Sequence, residues 1–89
     1  MVQVVWTRRA LSDLAAIRAY IGQFNPLAAQ RMAQRLRTAG ESLSHFPGRG
    51  RRIGERRELV IVRPYLIRYR VHADRVEILA IRHGAQKPD

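Results

Sequence analysis

The pair Asn25-Pro26 lies between two stretches whose apolar residues recur with helical spacing, and this arrangement limits the possible folds more than any other feature. Asparagine is a favoured N-cap, and proline fits the first turn of a helix, where its missing N–H costs nothing. The sequence therefore predicts a helical hairpin that turns at Asn25-Pro26, with Thr7 capping the first helix. The predicted apolar stripes are Ala10, Leu14, Ile17, Ile21 and Phe24, then Ala29, Met32, Ala33, Leu36, Ala39, Leu43 and Phe46, up to Pro47.

Runs of β-branched and aromatic residues predict strands on both sides of this hairpin. A short strand precedes it, and the others follow a segment from Pro47 to Arg56 that is rich in glycine and arginine and is predicted to be a mobile basic loop. The expected fold is α+β in a single domain, residues 1–89. A two-helix hairpin packs on an antiparallel sheet of three to four strands, and the position of the N-terminal strand stays open. The predicted strands are Val2 to Trp6, Arg57 to Val62, Tyr65 to His72 and Arg75 to His83.

A two-residue turn at Ala73-Asp74 predicts the pairing of the last two strands. It places Arg70 opposite Glu77, as a cross-strand ion pair, and opposed residues share a face of the sheet. One face is then apolar and packs on the helices. The other face is a candidate binding surface, with His83 at its end and with Leu66, Arg68, Arg70, Glu77, Leu79 and Ile81 along it. The predicted core comprises Leu14, Ile17, Ile21, Met32, Leu36, Leu43, Tyr69, Val71, Val76 and Ile78.

The charge balance points to acidic or phosphate-rich partners. Lysine and arginine number 17 against 7 acidic residues, for a formal net charge of +10. Such a charge attracts anionic partners, although the arginine preference is also what a GC-rich genome produces. The lack of cysteine fits a reducing cytosol, the N-terminus is not typical of a signal peptide, and no metal or cofactor motif is present. We therefore expect a cytoplasmic protein without a cofactor.

Residues that could cleave RNA are present in principle. Such a reaction needs proton-transfer groups and cations around the phosphate, and a nuclease reading would use His83 with Glu58 or Glu77 and with Arg68 and Arg70. The simpler readings are a histidine that hydrogen-bonds locally at a strand end and a basic loop that is solvated. A distance of roughly 20 Å along the strand separates Glu77 from His83, which is too far for concerted chemistry.

The order of several segments resembles the RelE/ParE family of bacterial toxins over essentially the whole chain. These segments are VVWTRRALSDLAAIRAYI, NPLAAQRMAQRL, the Pro47-Gly48 break with RGRR, RELVIVRPYLIRYRV and VEILAIRHGAQ. The resemblance implies the toxin half of a type II toxin–antitoxin module, with a helical hairpin on an antiparallel sheet. It also implies a cognate antitoxin, ParD-like or RelB-like, whose acidic character would suit this charge.

The family contains ribosome-dependent messenger RNA nucleases and gyrase inhibitors. Positions that carry basic catalytic residues in the RelE type correspond here to the aliphatic residues Leu59 to Val62 and Leu66, so the resemblance favours the ParE type and no catalytic role. The alternative is a RelE-like nuclease. Expected target contacts are Arg49, Arg51, Arg52, Arg82, His83 and Gln86, within a basic surface and the C-terminal segment from Arg82. Expected antitoxin contacts are Leu66, Arg68, Arg70, Leu79 and Ile81.

Overall fold

The computed structural model describes residues 1–84, apart from the side chain of Ile61. It contains two helices, α1 (Arg8–Gly22) and α2 (Pro26–Glu41), and a single sheet. No helix within this part of the chain is long and apolar enough to cross a membrane. The strands are β1 (Gln3–Trp6), β2 (Arg51–Ile53), β3 (Arg56–Val62), β4 (Tyr65–Val71) and β5 (Arg75–His83), and a 3-10 turn at Ser42–Ser44 follows α2.

The helix starts are those predicted from the sequence. The Thr7 hydroxyl accepts a hydrogen bond from Ala10 N at 3.1 Å, and the Asn25 carboxamide oxygen accepts one from Ala28 N at 3.0 Å. Pro26 occupies the first turn of α2, where it removes no hydrogen bond. The helical hairpin and its turn at Asn25-Pro26 are therefore confirmed.

The sheet has five strands in the order β1-β5-β4-β3-β2, one more than the largest number predicted. β1 lies at one edge and pairs in parallel with β5, so the sheet is mixed rather than wholly antiparallel. β2 lies inside the segment predicted to be a mobile loop and pairs with β3. Gly54, with a φ of 62°, makes the tight turn between them, because a two-residue hairpin needs a positive φ at that position.

One register shift changes which residues of β4 and β5 share a face. Next to the Ala73-Asp74 turn the pairing is as predicted, with Tyr69 opposite Ile78. An irregularity at Leu79 then moves β5 by one residue, so Ile67 pairs with Ile81 instead of Ala80. A one-residue slip turns each following side chain to the other face. The predicted face for Ile81 and His83 was therefore wrong.

The core lies between the helices and one face of the sheet. Leu36, Leu43, Tyr69, Val76 and Ile78 are completely buried, as predicted. At Gly40, an added Cβ would lie 2.5 Å from the Trp6 ring of β1, so only glycine lets α2 pass this close to the N-terminal strand.

Of the predicted core, Ile17, Ile21 and Met32 are only half-buried. Three further apolar residues are exposed: Val71 from the predicted core, and Phe24 and Phe46 from the predicted stripes. Val71 is 41% exposed because it lies at the end of β4 beside the β2–β3 turn, where the helices leave it uncovered. Phe24 is 75% exposed because α1 ends at Gly22, before the stripe reaches it. Phe46 is 67% exposed because α2 ends at Glu41 and the chain turns away.

Candidate functional site

The face of the sheet that points away from the helices carries both apolar and charged residues. Neighbouring strands bring Val5 beside Glu77 and bring Leu66 beside Arg82. Val60 of β3 is 47% exposed. This surface, called the open face below, keeps the mixed character that the sequence predicted, although its members differ.

Arg68 and Glu58 form an ion pair at the centre of the open face. They are opposite each other on β4 and β3, and Arg68 Nη2 lies 3.1 Å from Glu58 Oε2. Their side chains are only 11% and 16% exposed. Two partly buried charges of opposite sign are held in place, since separating them would leave each without compensation. Glu58 is thus committed to Arg68, the residue expected to clamp a phosphate.

The predicted ion pair between Arg70 and Glu77 is not formed, although the two residues are opposite each other. The Glu77 carboxylate instead contacts His72, with Oε1 lying 2.9 Å from Nε2, and both side chains are about one quarter exposed. The Arg70 Nε–H is buried and has no hydrogen-bond acceptor among the described residues. A buried donor without an acceptor is uncommon in folded proteins. His72, Glu77 and Arg70 form a polar group, the His72 cluster. The sequence placed Arg70 and Glu77 together but did not single out His72.

His83 lies on the face opposite to the one expected. It pairs with Tyr65 across β4 and β5, and the two rings meet edge to face with centroids 5.6 Å apart. Tyr65 packs against the core, so this pair is on the helix side of the sheet. The set proposed for a nuclease is therefore divided, with His83 on one face and Arg68, Arg70 and Glu58 on the other.

The expected target contacts are also spread over the molecule. Arg51 belongs to edge strand β2, whereas Arg82 and His83 belong to β5, three strand positions away in the sheet. At the usual spacing of strands this is about 14 Å. Arg49 donates to the Ser42 hydroxyl at 3.0 Å, and the Arg52 guanidinium donates to Gly54 O. Gln86 lies outside the described residues.

Hydrogen bonds hold the segment from Pro47 to Gly50 against the sheet. The Tyr69 hydroxyl donates to Pro47 O at 2.8 Å and accepts from Gly50 N at 2.7 Å. Arg57 Nη1 donates to Gly50 O at 2.8 Å. Burial raises the pKa of the Tyr69 phenol above its ordinary value, and the Gly50 N–H and the charges of Arg57 and Arg49 only partly offset this. The first part of the predicted mobile loop is therefore anchored.

The residues expected to contact the antitoxin differ in how deeply they are buried. Ile81 is 5% exposed and belongs to the core cluster, so the expectation that it lies on the open face was wrong. Its backbone N–H, beyond the end of β1, donates to the Asp13 carboxylate of α1 at 2.9 Å. Leu66 and Leu79 are half-buried. The roles assigned to Leu66, Arg68, Arg70 and Leu79 stay predictions.

A second surface lies on the outer side of the helical hairpin, where α1 and α2 leave a groove of about 490 Å³. Small residues four positions apart on each helix make it hollow, since their side chains cannot fill the space between the helices. Arg18 and Arg37 stand beside this hollow, as does Leu11, which is half exposed. The small residues of this interhelical groove are Ala15, Ala19, Gly22, Ala29 and Ala33.

The arginines around the interhelical groove differ from Arg68 of the sheet in their lack of an acidic partner among the described residues. A neighbouring cavity of about 390 Å³ shares Arg18 and Arg37 with the groove and adds Arg31. None of these three arginines forms an ion pair or a side-chain hydrogen bond with another described residue. The sequence contains no acidic residue between Asp13 and Glu41. The hairpin therefore presents positive charge that the described part of the fold does not neutralise.

The sequence did not predict the interhelical groove, because Ala29 and Ala33 were assigned to a buried stripe and Ala15 and Ala19 to none. The available signal was a pair of alanines four residues apart in each helix, Ala15 and Ala19 in the first and Ala29 and Ala33 in the second. Within residues 1–84, no group of three histidine or acidic side chains could hold a metal ion.

Known proteins match this chain in both sequence and fold. The family described as "ParE toxin of type II toxin-antitoxin system, parDE" matches residues 4–88. Toxin RelE2 of Caulobacter vibrioides is 62% identical over 97% of this chain and 99% of its own length. Putative toxin Y4kP of Sinorhizobium fredii is 44% identical over 96% and 91% of the two chains. A chain of the chromosomal ParDE TA system from P. aeruginosa superimposes with a TM-score of 0.83 and 26% identity, over 93% of this chain and 96% of that one.

Proposed function

The chain belongs to the ParE toxin family of type II toxin–antitoxin systems, and from this premise we propose that it inhibits DNA gyrase rather than cutting messenger RNA. The observation that carries the proposal is the separation of His83 from Arg68, Arg70 and Glu58 by the sheet itself. Cleavage of a phosphodiester bond requires proton-transfer groups and cations around one phosphate. Those residues cannot surround one phosphate from opposite faces.

Two assays on the purified toxin test this proposal. One measures supercoiling of relaxed plasmid by gyrase, and the other measures the integrity of messenger RNA bound to translating ribosomes. We expect inhibition of supercoiling and intact RNA. Codon-specific cleavage of the RNA with full gyrase activity would contradict the proposal.

A nuclease is the second candidate function, because the His72 cluster brings a histidine, a carboxylate and an arginine together on the open face. Glu77 would orient the His72 ring, which would accept a proton from a ribose 2′-hydroxyl as that oxygen attacks the phosphorus. The bond from phosphorus to the 5′-oxygen would break, the leaving oxygen would take a proton from water, and Arg70 would contact the phosphate. Cleavage that is lost in His72→Ala and kept in His83→Ala would establish this function. Cleavage lost only in His83→Ala would instead support the use of His83.

The cognate antitoxin is the partner that membership of this family implies. We propose that an acidic amphipathic segment of it lies in the interhelical groove. The small residues of the groove leave room for apolar side chains, and Arg18, Arg31 and Arg37 supply charges for its carboxylates. The open face is less suited to this role, since Ile81 is buried and Arg68 is paired with Glu58. Pairing uncompensated arginines with an acidic segment would favour association.

A further inference from the structure

Three large apolar side chains project from the end of the helical hairpin. Tyr20 is 62% exposed, Phe24 is 75% exposed and Leu27 is 53% exposed. They lie at the end of α1, in the connection and at the start of α2. The rings of Tyr20 and Phe24 meet edge to face with centroids 5.7 Å apart. Single exposed apolar residues are normal on a protein surface, whereas large exposed rings in mutual contact, as those of Tyr20 and Phe24 are, point to an interaction site. We call these three residues the hairpin tip.

The hairpin tip is held firmly by the turn beneath it. Phe24 N and Asn25 N both donate to Ile21 O, at 3.0 and 2.9 Å, and Asn25 caps α2 through Ala28 N. The backbone below the apolar side chains is therefore fixed before any partner arrives. Binding through a preorganised surface loses less conformational entropy than binding through a flexible loop.

The surroundings of the hairpin tip indicate the chemistry of its partner. Arg31 lies one helical turn beyond Leu27, and both residues line the same cavity. The partner should therefore offer an apolar socket with carboxylates at its rim. A second copy of this chain does not fit, because each copy carries a net charge of +10 and would bring Arg18 and Arg31 against their own counterparts.

The hairpin tip also differs in shape from the interhelical groove beside it. The groove is a hollow between the helices that would receive a segment of chain, whereas Tyr20 and Phe24 are exposed side chains at the end of the hairpin that would enter a pocket of the partner. Exposed aromatic side chains bind most strongly when they fill a well-packed pocket, and a folded protein surface can supply one. We propose that the hairpin tip is the surface through which this toxin contacts its protein target, and the inference rests on the proposed function in assuming a protein target.

The short distance between the interhelical groove and the hairpin tip would explain how the antitoxin neutralises the toxin. Gly22 and Pro26 line the end of the interhelical groove, and each lies two residues from Phe24 in the chain. A segment bound along the groove would reach the hairpin tip and block the approach of a large target. Antitoxin and target would then compete for neighbouring parts of one surface.

The decisive experiment compares Phe24→Ser with Phe46→Ser. Phe46 is a matched control, since it is 67% exposed but lies away from the hairpin tip. Each variant is measured for gyrase inhibition, for growth arrest on induction in cells and for affinity to the antitoxin. We expect Phe24→Ser to raise the concentration needed for half-inhibition by about tenfold or more, as expected for loss of an interface hot spot. Its antitoxin affinity should stay within about twofold, and Phe46→Ser should behave like the wild type.

The outcomes are separable. If Phe24→Ser keeps full potency in both gyrase and growth assays, the inference is overturned. Potency that survives while antitoxin affinity falls would assign the hairpin tip to the antitoxin and would equally overturn it. If the wild type leaves gyrase unaffected, the proposed gyrase function fails, while growth arrest lost in Phe24→Ser alone would still support the hairpin tip as the target contact.

Discussion

The open face of the sheet and the outer side of the helical hairpin are both rich in arginine, but their arginines differ in whether acidic side chains neutralise them. On the sheet, Arg68 is paired with Glu58 and is largely buried. On the hairpin, Arg18, Arg31 and Arg37 have no partner among the described residues. The comparison teaches that net charge alone does not locate a binding surface. Charges that the fold has neutralised support its structure, and charges that it has left uncompensated are available to a partner.

The two sides of α2 provide the largest contrast in stability. Leu36 is completely buried in the core, while its neighbour Arg37 faces the interhelical groove. We expect Leu36→Ala to lower the free energy of unfolding by about 2–5 kcal/mol, because it leaves a cavity. Arg37→Gln should change it by less than about 0.5 kcal/mol. Urea unfolding measures both changes. Equal losses of unfolding free energy in the two variants would contradict the difference between the two sides of α2.

The Arg68–Glu58 pair is expected to give the next largest effect. Glu58→Gln keeps the size of the side chain but removes the negative charge that lies 3.1 Å from Arg68 Nη2 in a mostly buried position. We expect a loss of about 2–3 kcal/mol, somewhat below the cost of breaking a fully buried pair. Replacing both residues by a double variant should recover part of this loss. A Glu58→Gln protein as stable as the wild type would show that the sheet charges are not structural.

Tyr69 tests how firmly the Pro47–Gly50 segment is attached to the sheet. Tyr69→Phe removes the bonds to Pro47 O and Gly50 N and should cost about 1–3 kcal/mol. The raised pKa of the Tyr69 phenol also predicts a pH dependence. Above pH of about 10 the unfolded chain ionises while the folded one stays protonated, so stability should fall as pH rises further. This part of the alkaline loss should be absent in Tyr69→Phe.

Of the polar contacts on the sheet, the His72 cluster is expected to contribute the least to stability. His72 and Glu77 are each about one quarter exposed, so solvent screens their contact. We expect His72→Ala to cost less than about 1 kcal/mol in thermal or urea unfolding. A larger loss would mean that this pair supports the fold as Arg68 and Glu58 do.

Features that depend on a few neighbouring residues could be predicted from the sequence. The caps at Thr7 and Asn25 and the Ala73-Asp74 turn are local, since each uses atoms within a few positions of the chain. The register shift at Leu79 could not be predicted in this way. It is an extra residue in β5 that ordinary alternation of side chains does not reveal, and it moved Ile81 into the core and His83 to the other face.

The functional surfaces were harder to predict for a related reason. The sequence shows which residues are arginines, but whether each one has a partner depends on strands and helices that meet only in three dimensions. Strand β2 was missed because its residues are arginine-rich and lack the usual β-branched pattern. The exposure of Phe24 depends on α1 ending two residues earlier, and the ends of helices are difficult to predict from sequence.

Antitoxin affinity, measured by titration calorimetry together with the melting temperature, tests the contrast between the two arginine groups most directly. The variants to compare are Arg18→Gln/Arg37→Gln on the hairpin and Arg68→Gln/Glu58→Gln on the sheet. The hairpin variant should bind the antitoxin about tenfold or more weakly with an unchanged melting temperature. The sheet variant should have a lower melting temperature and should keep its affinity for the antitoxin. Full affinity in the hairpin variant together with weakened binding in the sheet variant would contradict the assignment and move the antitoxin to the open face.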